Sequence, residues 1–339
     1  MIGDVELDGG RVARVGLGGR GRGLAAPGFV DLQVNGFAGV DFLGASAAEW
    51  RAAGEALLAT GVTAFQPTFV TAPEEALVDA LRSVPASPAV VGAHLEGPFI
   101  SARRLGAHPG AHRRDPDVAL LDRLLDAGRV TMVTLAPELP GALELVARAR
   151  RRGVVLSAGH TEATAAEAQA AFDAGVAAVS HVFNAMPPIR SREPGVAGAA
   201  LTRPGVVVQA IVDGRHLADE TVRLVWAAAA GRVALVTDAT AAAAAGPGRY
   251  RLGEAEIEVV DGAPRRADGT LAGSALTMLD AVRNLHALGV PLVEAIGAAT
   301  AVPARLLGRP DLGVLEPGAR AGVVVLDDRL ELVRVVGSG

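Results

Sequence analysis

The chain has 339 residues, half of them hydrophobic, with 42 glycines, 3% aromatics and a formal net charge of -5. That balance excludes a disordered polymer and a protein drawn to nucleic acid by a global basic field. The absence of cysteine excludes disulfides and thiolate metal ligands together, so any metal must be held by His, Asp or Glu.

In chain order, residues 1–26 alternate loosely between glycine clusters, the pattern of short β-strands and a hairpin. From Phe29 onward, apolar strand-like runs alternate with helix-like segments. The runs are Phe29 to Val34, Val62 to Val70, Val90 to Glu96, Val130 to Pro137, Val154 to His160, Ala177 to Phe183, Val206 to Val212 and Val233 to Thr237. Stretches suited to helices separate most of them: Ala47 to Leu58, Pro116 to Leu125, Leu143 to Arg151, Ala163 to Ala174 and Asp219 to Ala230. Eight buried strands with helical crossovers describe an α/β fold of the (β/α)8 TIM-barrel type, which reaches this length as one domain. An open doubly wound sheet is the rival, but the first strand-to-helix turn lacks a dinucleotide-type glycine fingerprint.

After the eighth run, residues 241–268 read as a hairpin insert. Ala275 to Leu288, with Ser274 as its N-cap, and Pro291 to Leu307 then read as helices. The tail returns to strand and turn, and pairing with the first segment predicts a small β-sandwich domain from both termini, residues 1–26 plus 310–339, around a barrel of residues 27–309.

In a parallel barrel the active site lies at the C-terminal ends of the strands. Those ends carry Gln33 and Asn35, Glu96, His160, His181 and Asp238. As buried structural groups each would need its own partner; as ligands of one ion they explain one another. Two imidazoles and a carboxylate leave a coordination position open, the pattern of a catalytic zinc site, with Asp238 left to move protons. Thr161 or Thr164 can cap the helix after His160.

The segments PGFVDLQVNG (27–36), HLEGPF (94–99), SAGHTEAT (157–164), SHVFNAMPPIRSREPG (180–195), VDGRHL (212–217), LVTDAT (235–240) and GTLAGSALTM (269–278) resemble those of the N-acetylglucosamine-6-phosphate deacetylases of the amidohydrolase superfamily. The resemblance runs from residue 27 to about 326. It implies one divalent metal ion on Glu96, His160 and His181, with zinc first and Fe2+, Mn2+ or Co2+ as alternatives, and Asp238 as catalytic acid and base. It also implies substrate contacts from His108, Asn184, the backbone of Ala185, Arg192 and His216, and a homodimer, because the Arg192 counterpart reaches across the interface in relatives. The implied reaction is hydrolysis of an acetamide on an amino-sugar phosphate. Many amidohydrolases carry His-x-His at the end of the first strand; here Gln33 and Asn35 are neutral amides, which argues against a second tightly held metal.

Three rival functions remain at this stage: a deacetylase for N-acetylgalactosamine 6-phosphate, a cyclic-amide hydrolase, and a non-catalytic sugar-phosphate-binding barrel. The cyclic-amide enzyme is disfavoured by the missing His-x-His and carbamylated lysine. His94 reads as a supporting residue, His112 as solvated, His286 as packing or surface, and Arg103 and Arg104 as a solvated charged loop, with help in holding phosphate as the alternative. Arg192 has the plainer option of pairing with Glu193. Met1-Ile2-Gly3-Asp4 lacks the basic-then-apolar pattern of a signal peptide, and the apolar runs are too short or broken for a membrane span, so a cytoplasmic protein without membrane or nucleic-acid partners is expected.

Overall fold

The computed structural model of the chain describes residues 4–18 and 23–336. Eight strands form one parallel sheet in sequential order: β1 Phe29–Val34, β2 Val62–Val70, β3 Ala93–Glu96, β4 Val130–Leu135, β5 Val155–Ala158, β6 Ala178–Val179, β7 Val207–Ala210 and β8 Val233–Leu235. All nine residues of β2 are buried, as expected of a strand covered on both faces. Helices α1 Ala47–Ala59, α2 Glu74–Ser83, α3 Val118–Ala127, α4 Ala142–Arg151, α5 Ala165–Ala174, α6 Gly195–Thr202 and α7 Asp219–Ala229 alternate with the strands, and α8 Met278–Ala287 follows the insert. The chain is a (β/α)8 barrel.

Local chemistry starts and stops these helices. Ser46 and Glu49 form a reciprocal capping box on α1, which buries Trp50, Ala53 and Leu57 on one face; Trp50 stacks on Phe42 with ring centroids 4.4 Å apart. Of the two threonines considered after His160, Thr164 makes the cap on α5, in a second capping box with Glu167.

The barrel closes where β1 meets β8, through a Val34 to Ala239 bridge and a 2.7 Å bond from the Asn35 amide to the Ala239 carbonyl. Asp31 fastens this seam from inside. It accepts the Thr237 hydroxyl at 2.6 Å and the Gln33 and Thr237 amides at 3.3 Å.

At the termini, Leu24–Pro27 pairs antiparallel with Val323–Leu326, which pairs in turn with Leu332–Val336. A hairpin of Asp4–Asp8 and Arg11–Leu17 joins them through an Arg11 to Arg320 bridge. Both chain ends thus build the small β-sandwich.

The hairpin expected in the insert is present, Arg249–Leu252 against Ala255–Val260, and Ala263–Arg265 pairs back onto it as a third strand. Two sequence expectations need correction. Ser274 is not the cap of α8. It is buried, bridges to Ala239 and donates its hydroxyl to the Thr237 carbonyl at 2.5 Å, while Thr277 caps the helix by accepting from the Asp280 amide. Residues 291–307 form two helices, Leu292–Ala298 and Ala301–Leu306. Pro303, lacking an N–H, fits the first turn of the second, where amides have no helical partner anyway.

Burial pushes Asp31 up to about 7, against the hydrogen bonds that it accepts from Thr237 and Gln33. A carboxyl raised on folding is fully stabilising only below its unfolded value, and that contribution is lost as pH rises through the folded value. The neutral variant Asp31→Asn keeps a carbonyl for the amides and a donor for Thr237. Its Tm, followed from about pH 5 to about pH 8 by circular dichroism, is therefore expected to gain on that of the parent as pH rises; a constant difference across that range would refute the assignment.

Candidate functional site

The C-terminal ends of the strands open into a cavity of about 360 Å³. Glu96 ends β3. His160, His181 and Asp238 stand two or three residues past the ends of β5, β6 and β8, and each has a positive φ, of 49°, 27° and 50°. Non-glycine residues held there cost on the order of 1–3 kcal/mol each and persist where the surroundings over-determine them. The turn they produce sends each side chain inward over the barrel axis.

The convergence is tight. Glu96 Oε1 lies 2.9 Å from His181 Nε2 and 3.2 Å from His160 Nε2, and the two Nε2 atoms are 3.2 Å apart. One ligand atom from each residue falls within 4.8 Å of the others, and all three residues are buried. His160 Nδ1 donates to the Arg104 carbonyl at 2.8 Å, so the neutral ring turns its Nε2 lone pair toward the cluster. Two imidazole nitrogens and a carboxylate oxygen packed this closely repel unless a cation or a proton sits among them. The donor set therefore fits a divalent ion.

The charges respond to burial and to one another. Burial alone would raise Glu96, but the imidazoles of His108, His160 and His181 packed against it outweigh burial and hold the carboxyl well below its usual range. Burial, and then the neighbouring His108, lower His160; at His181 the Glu96 hydrogen bond and charge overcome burial and raise it. Burial first, and then the Glu96 charge, push Asp238 up to about 6.

Gln33 and Asn35 act as donors. Gln33 Nε2 bonds Glu96 Oε1 at 2.9 Å and Asp238 Oδ1 at 3.0 Å, and Asn35 Nδ2 bonds the same Asp238 oxygen at 2.7 Å. Oδ2 of Asp238 accepts no bond among the described residues. His108 also faces the cluster, with Nε2 3.5 Å from Glu96 Oε2. The Thr71 amide donates to its Nδ1 at 3.2 Å, which leaves the ring proton on Nε2.

Asn184, Ala185 and His216 line the cavity as well. Arg192 does not: it is exposed on the loop before α6, and it makes no ion pair among the described residues. Pairing with Glu193 is not observed, since that carboxylate instead accepts the Ala165 and Gly195 amides at 2.7 and 2.9 Å. Arg103 and Arg104, expected in a solvated loop, line the cavity, and Arg104 pairs with Glu162. His112 bonds Glu254 of the insert at 3.0 Å. His94 is buried one layer below the cluster, between the Thr68 and Thr134 hydroxyls at 3.3 and 2.8 Å.

Sequence reading missed the side of the cavity built by Leu252, Thr270, Leu271 and Gly273. The signal was Gly273: at φ 59° it lies so close to Asp238 that a Cβ would meet the Asp238 carbonyl at 2.6 Å.

The sequence profile of the amidohydrolase family matches residues 24–338. The chain belongs to the amidohydrolase family. Within this family it is 39% identical to N-acetylglucosamine-6-phosphate deacetylase of Homo sapiens, over 93% of this chain and 82% of the relative. It is 37% identical to N-acetylgalactosamine-6-phosphate deacetylase of Escherichia coli O157:H7, over 92% of this chain and 86% of that one. Among solved structures it is similar to a mutant of N-acetyl-D-glucosamine-6-phosphate deacetylase from Mycobacterium smegmatis in complex with N-acetyl-D-glucosamine-6-phosphate. That match has a TM-score of 0.95 and 40% identity, and covers 99% of this chain and 93% of the other.

If the amidohydrolase cluster holds an ion, chelation followed by dialysis against Zn2+ is expected to restore about one equivalent per chain, and His160→Ala to lose it. Replacing Gln33 by Leu removes a donor shared by two carboxylates, and such supporting changes cost about 10–100-fold in metal affinity. Elemental analysis and competition with a chromogenic chelator measure both; full zinc retention by His160→Ala would discard this ligand set.

Proposed function

We propose that this amidohydrolase is a metal-dependent deacetylase that hydrolyses N-acetyl-D-glucosamine 6-phosphate to D-glucosamine 6-phosphate and acetate. The observation that carries this reading is the meeting of Glu96, His160, His181 and Asp238 in one cavity, in a chain with relatives that carry that activity in their names over most of its length. Glu96, His160 and His181 would hold one divalent ion, zinc by preference for a mixed nitrogen and oxygen set. A bound ion would supply Lewis acidity for water and for the acetamide carbonyl.

The protein side of the chemistry follows from the hydrogen bonds. Gln33 and Asn35 engage one oxygen of Asp238, so its other oxygen is available to take a proton from attacking water and pass it to the leaving amine. An amide nitrogen leaves poorly until it is protonated, so both transfers fall to Asp238. His108, with its proton held on Nε2 by the Thr71 amide, donates to the oxygen on which negative charge develops. Asn184 commits its NH2 to the His181 and Val182 carbonyls at 3.2 Å, and so presents its carbonyl oxygen to the sugar. His216 and the Ala185 backbone complete the substrate contacts. The barrel, residues 27–309, is the catalytic unit in this reading, and the protein works in the cytoplasm on a small soluble substrate.

Arg192 lies outside the cavity of its own chain. In a homodimer it would serve the cavity of the partner, where a guanidinium suits a phosphate.

An N-acetylgalactosamine 6-phosphate deacetylase is the second reading, favoured by the relative that bears that name. Acetate release from the two sugar phosphates distinguishes them, with the larger kcat/KM expected for the gluco compound. Asp238→Asn is expected to keep its metal and lose at least about 100-fold in kcat, the scale of a lost general acid and base; near-normal turnover would end the proton-transfer role. For the dimer, mixing unfolded Asp238→Asn and Arg192→Ala chains and refolding them together is expected to regain activity, because half of the mixed dimers' sites carry both native residues. No gain over the separate variants, with a monomeric mass by sedimentation, would overturn the shared site.

A further inference from the structure

The loop after β7, Val212–Leu217, places a carboxylate behind a histidine that lines the cavity. Asp213 Oδ1 accepts the backbone amides of Arg215 and His216, both at 2.8 Å. Its Oδ2 lies 2.7 Å from His216 Nδ1. Gly214, at φ 70°, lets the chain turn tightly enough for one side chain to make all three bonds. Both side chains are nearly covered, with 11% of Asp213 and 6% of His216 exposed, so water does not readily replace either partner.

We propose that Asp213 is a positioning residue for substrate binding: it fixes the flip state of the His216 ring so that Nε2, and not a ring carbon, faces the substrate. The reasoning is geometric. Rotating an imidazole by half a turn exchanges Nδ1 with Cδ2 and Nε2 with Cε1. With Nδ1–H donated to Oδ2, the rotated ring would set a carbon against the carboxylate and forfeit a charge-assisted bond. Both oxygens of Asp213 act as acceptors, one for the turn and one for the ring, so a neutral amide at this position serves one side only. The Asp213–His216 pair is thus a support of the kind that orients metal-bound histidines, used here for a residue that meets substrate.

This inference rests on the reading of His216 as a substrate contact, and the test separates the two. The metal-loaded parent, Asp213→Ser, His216→Gln and the double variant are assayed for kcat and KM with N-acetylglucosamine 6-phosphate. Serine keeps an acceptor for the turn amides but is too short to reach Nδ1; Asp213→Asn, which preserves side-chain volume, serves as the second variant should the serine chain fail to fold. His216→Gln is expected to raise KM about 10-fold or more with a much smaller change in kcat, and Asp213→Ser to raise KM about 3–10-fold by itself and by nothing further in the His216→Gln background. Additive effects in the double variant, or a loss confined to kcat, would make Asp213 merely structural. A raised KM in His216→Gln alone would sink only the role of Asp213, whereas an unchanged KM there would remove His216 from the substrate and this inference with it.

Discussion

The carboxylate of Glu96 sits at the bottom of the cavity, buried, with Gln33, His160 and His181 all within hydrogen-bonding distance of one of its oxygens and His108 facing the other. A buried carboxylate without partners is costly enough to give up its charge, so those residues must be in place for Glu96 to remain an anion. They come from the ends of separate strands or from the loops beyond them. Only a closed parallel sheet in sequential order brings those ends around one point, and so the geometry of the site and the closure of the barrel are a single requirement.

That requirement explains two features that would otherwise be costly. The left-handed backbone at His160, His181 and Asp238 is strained locally, yet His160 and Asp238 are held from more than one direction. His160 is gripped by the Arg104 carbonyl, and Asp238 by two amide side chains. Below them, the barrel interior carries a hydroxyl and imidazole layer in place of aliphatic packing. Thr68, His94, Thr134, Ser180 and Ser157 run side by side, with the links from His94 Nε2 onward all 2.8 Å. Burial lowers His94 to about 4, so it stays neutral and joins its neighbours without adding charge beneath the carboxylate. Satisfied networks of this kind fix side chains more narrowly than an apolar layer can.

The amides at 33 and 35 take on a positive role in this light. Neutral Gln and Asn are poor ligands for a second ion, but they are good donors: Gln33 ties together two carboxylates that would otherwise repel, and Asn35 adds a second bond to Asp238. The insert contributes differently. Its meander sets Leu252 on the cavity wall, and the segment behind it, through Thr270, Leu271 and Gly273, lies against the exit of β8. The cavity is therefore walled by strand ends on one side and by the insert region on the other.

Much of this was written in the sequence. Eight apolar runs spaced by amphipathic segments determine an α/β barrel, because period and run length report local burial. Chemistry-bearing residues at the ends of those runs determine that Glu96, His160, His181 and Asp238 belong together, because a parallel barrel gathers strand ends. Other features were decided only in three dimensions, by contacts between residues far apart in the chain. Ser274 resembles a helix cap locally but is claimed by the Thr237 carbonyl, 37 residues away. Arg103 and Arg104 read as surface charge until the loop folds over the cavity, and Glu193 turns to the amides at two helix starts, which leaves Arg192 without an ion pair among the described residues. The donor role of Gln33 needs atoms from residues 33, 96 and 238 within 3.0 Å, and no spacing along a chain encodes that distance.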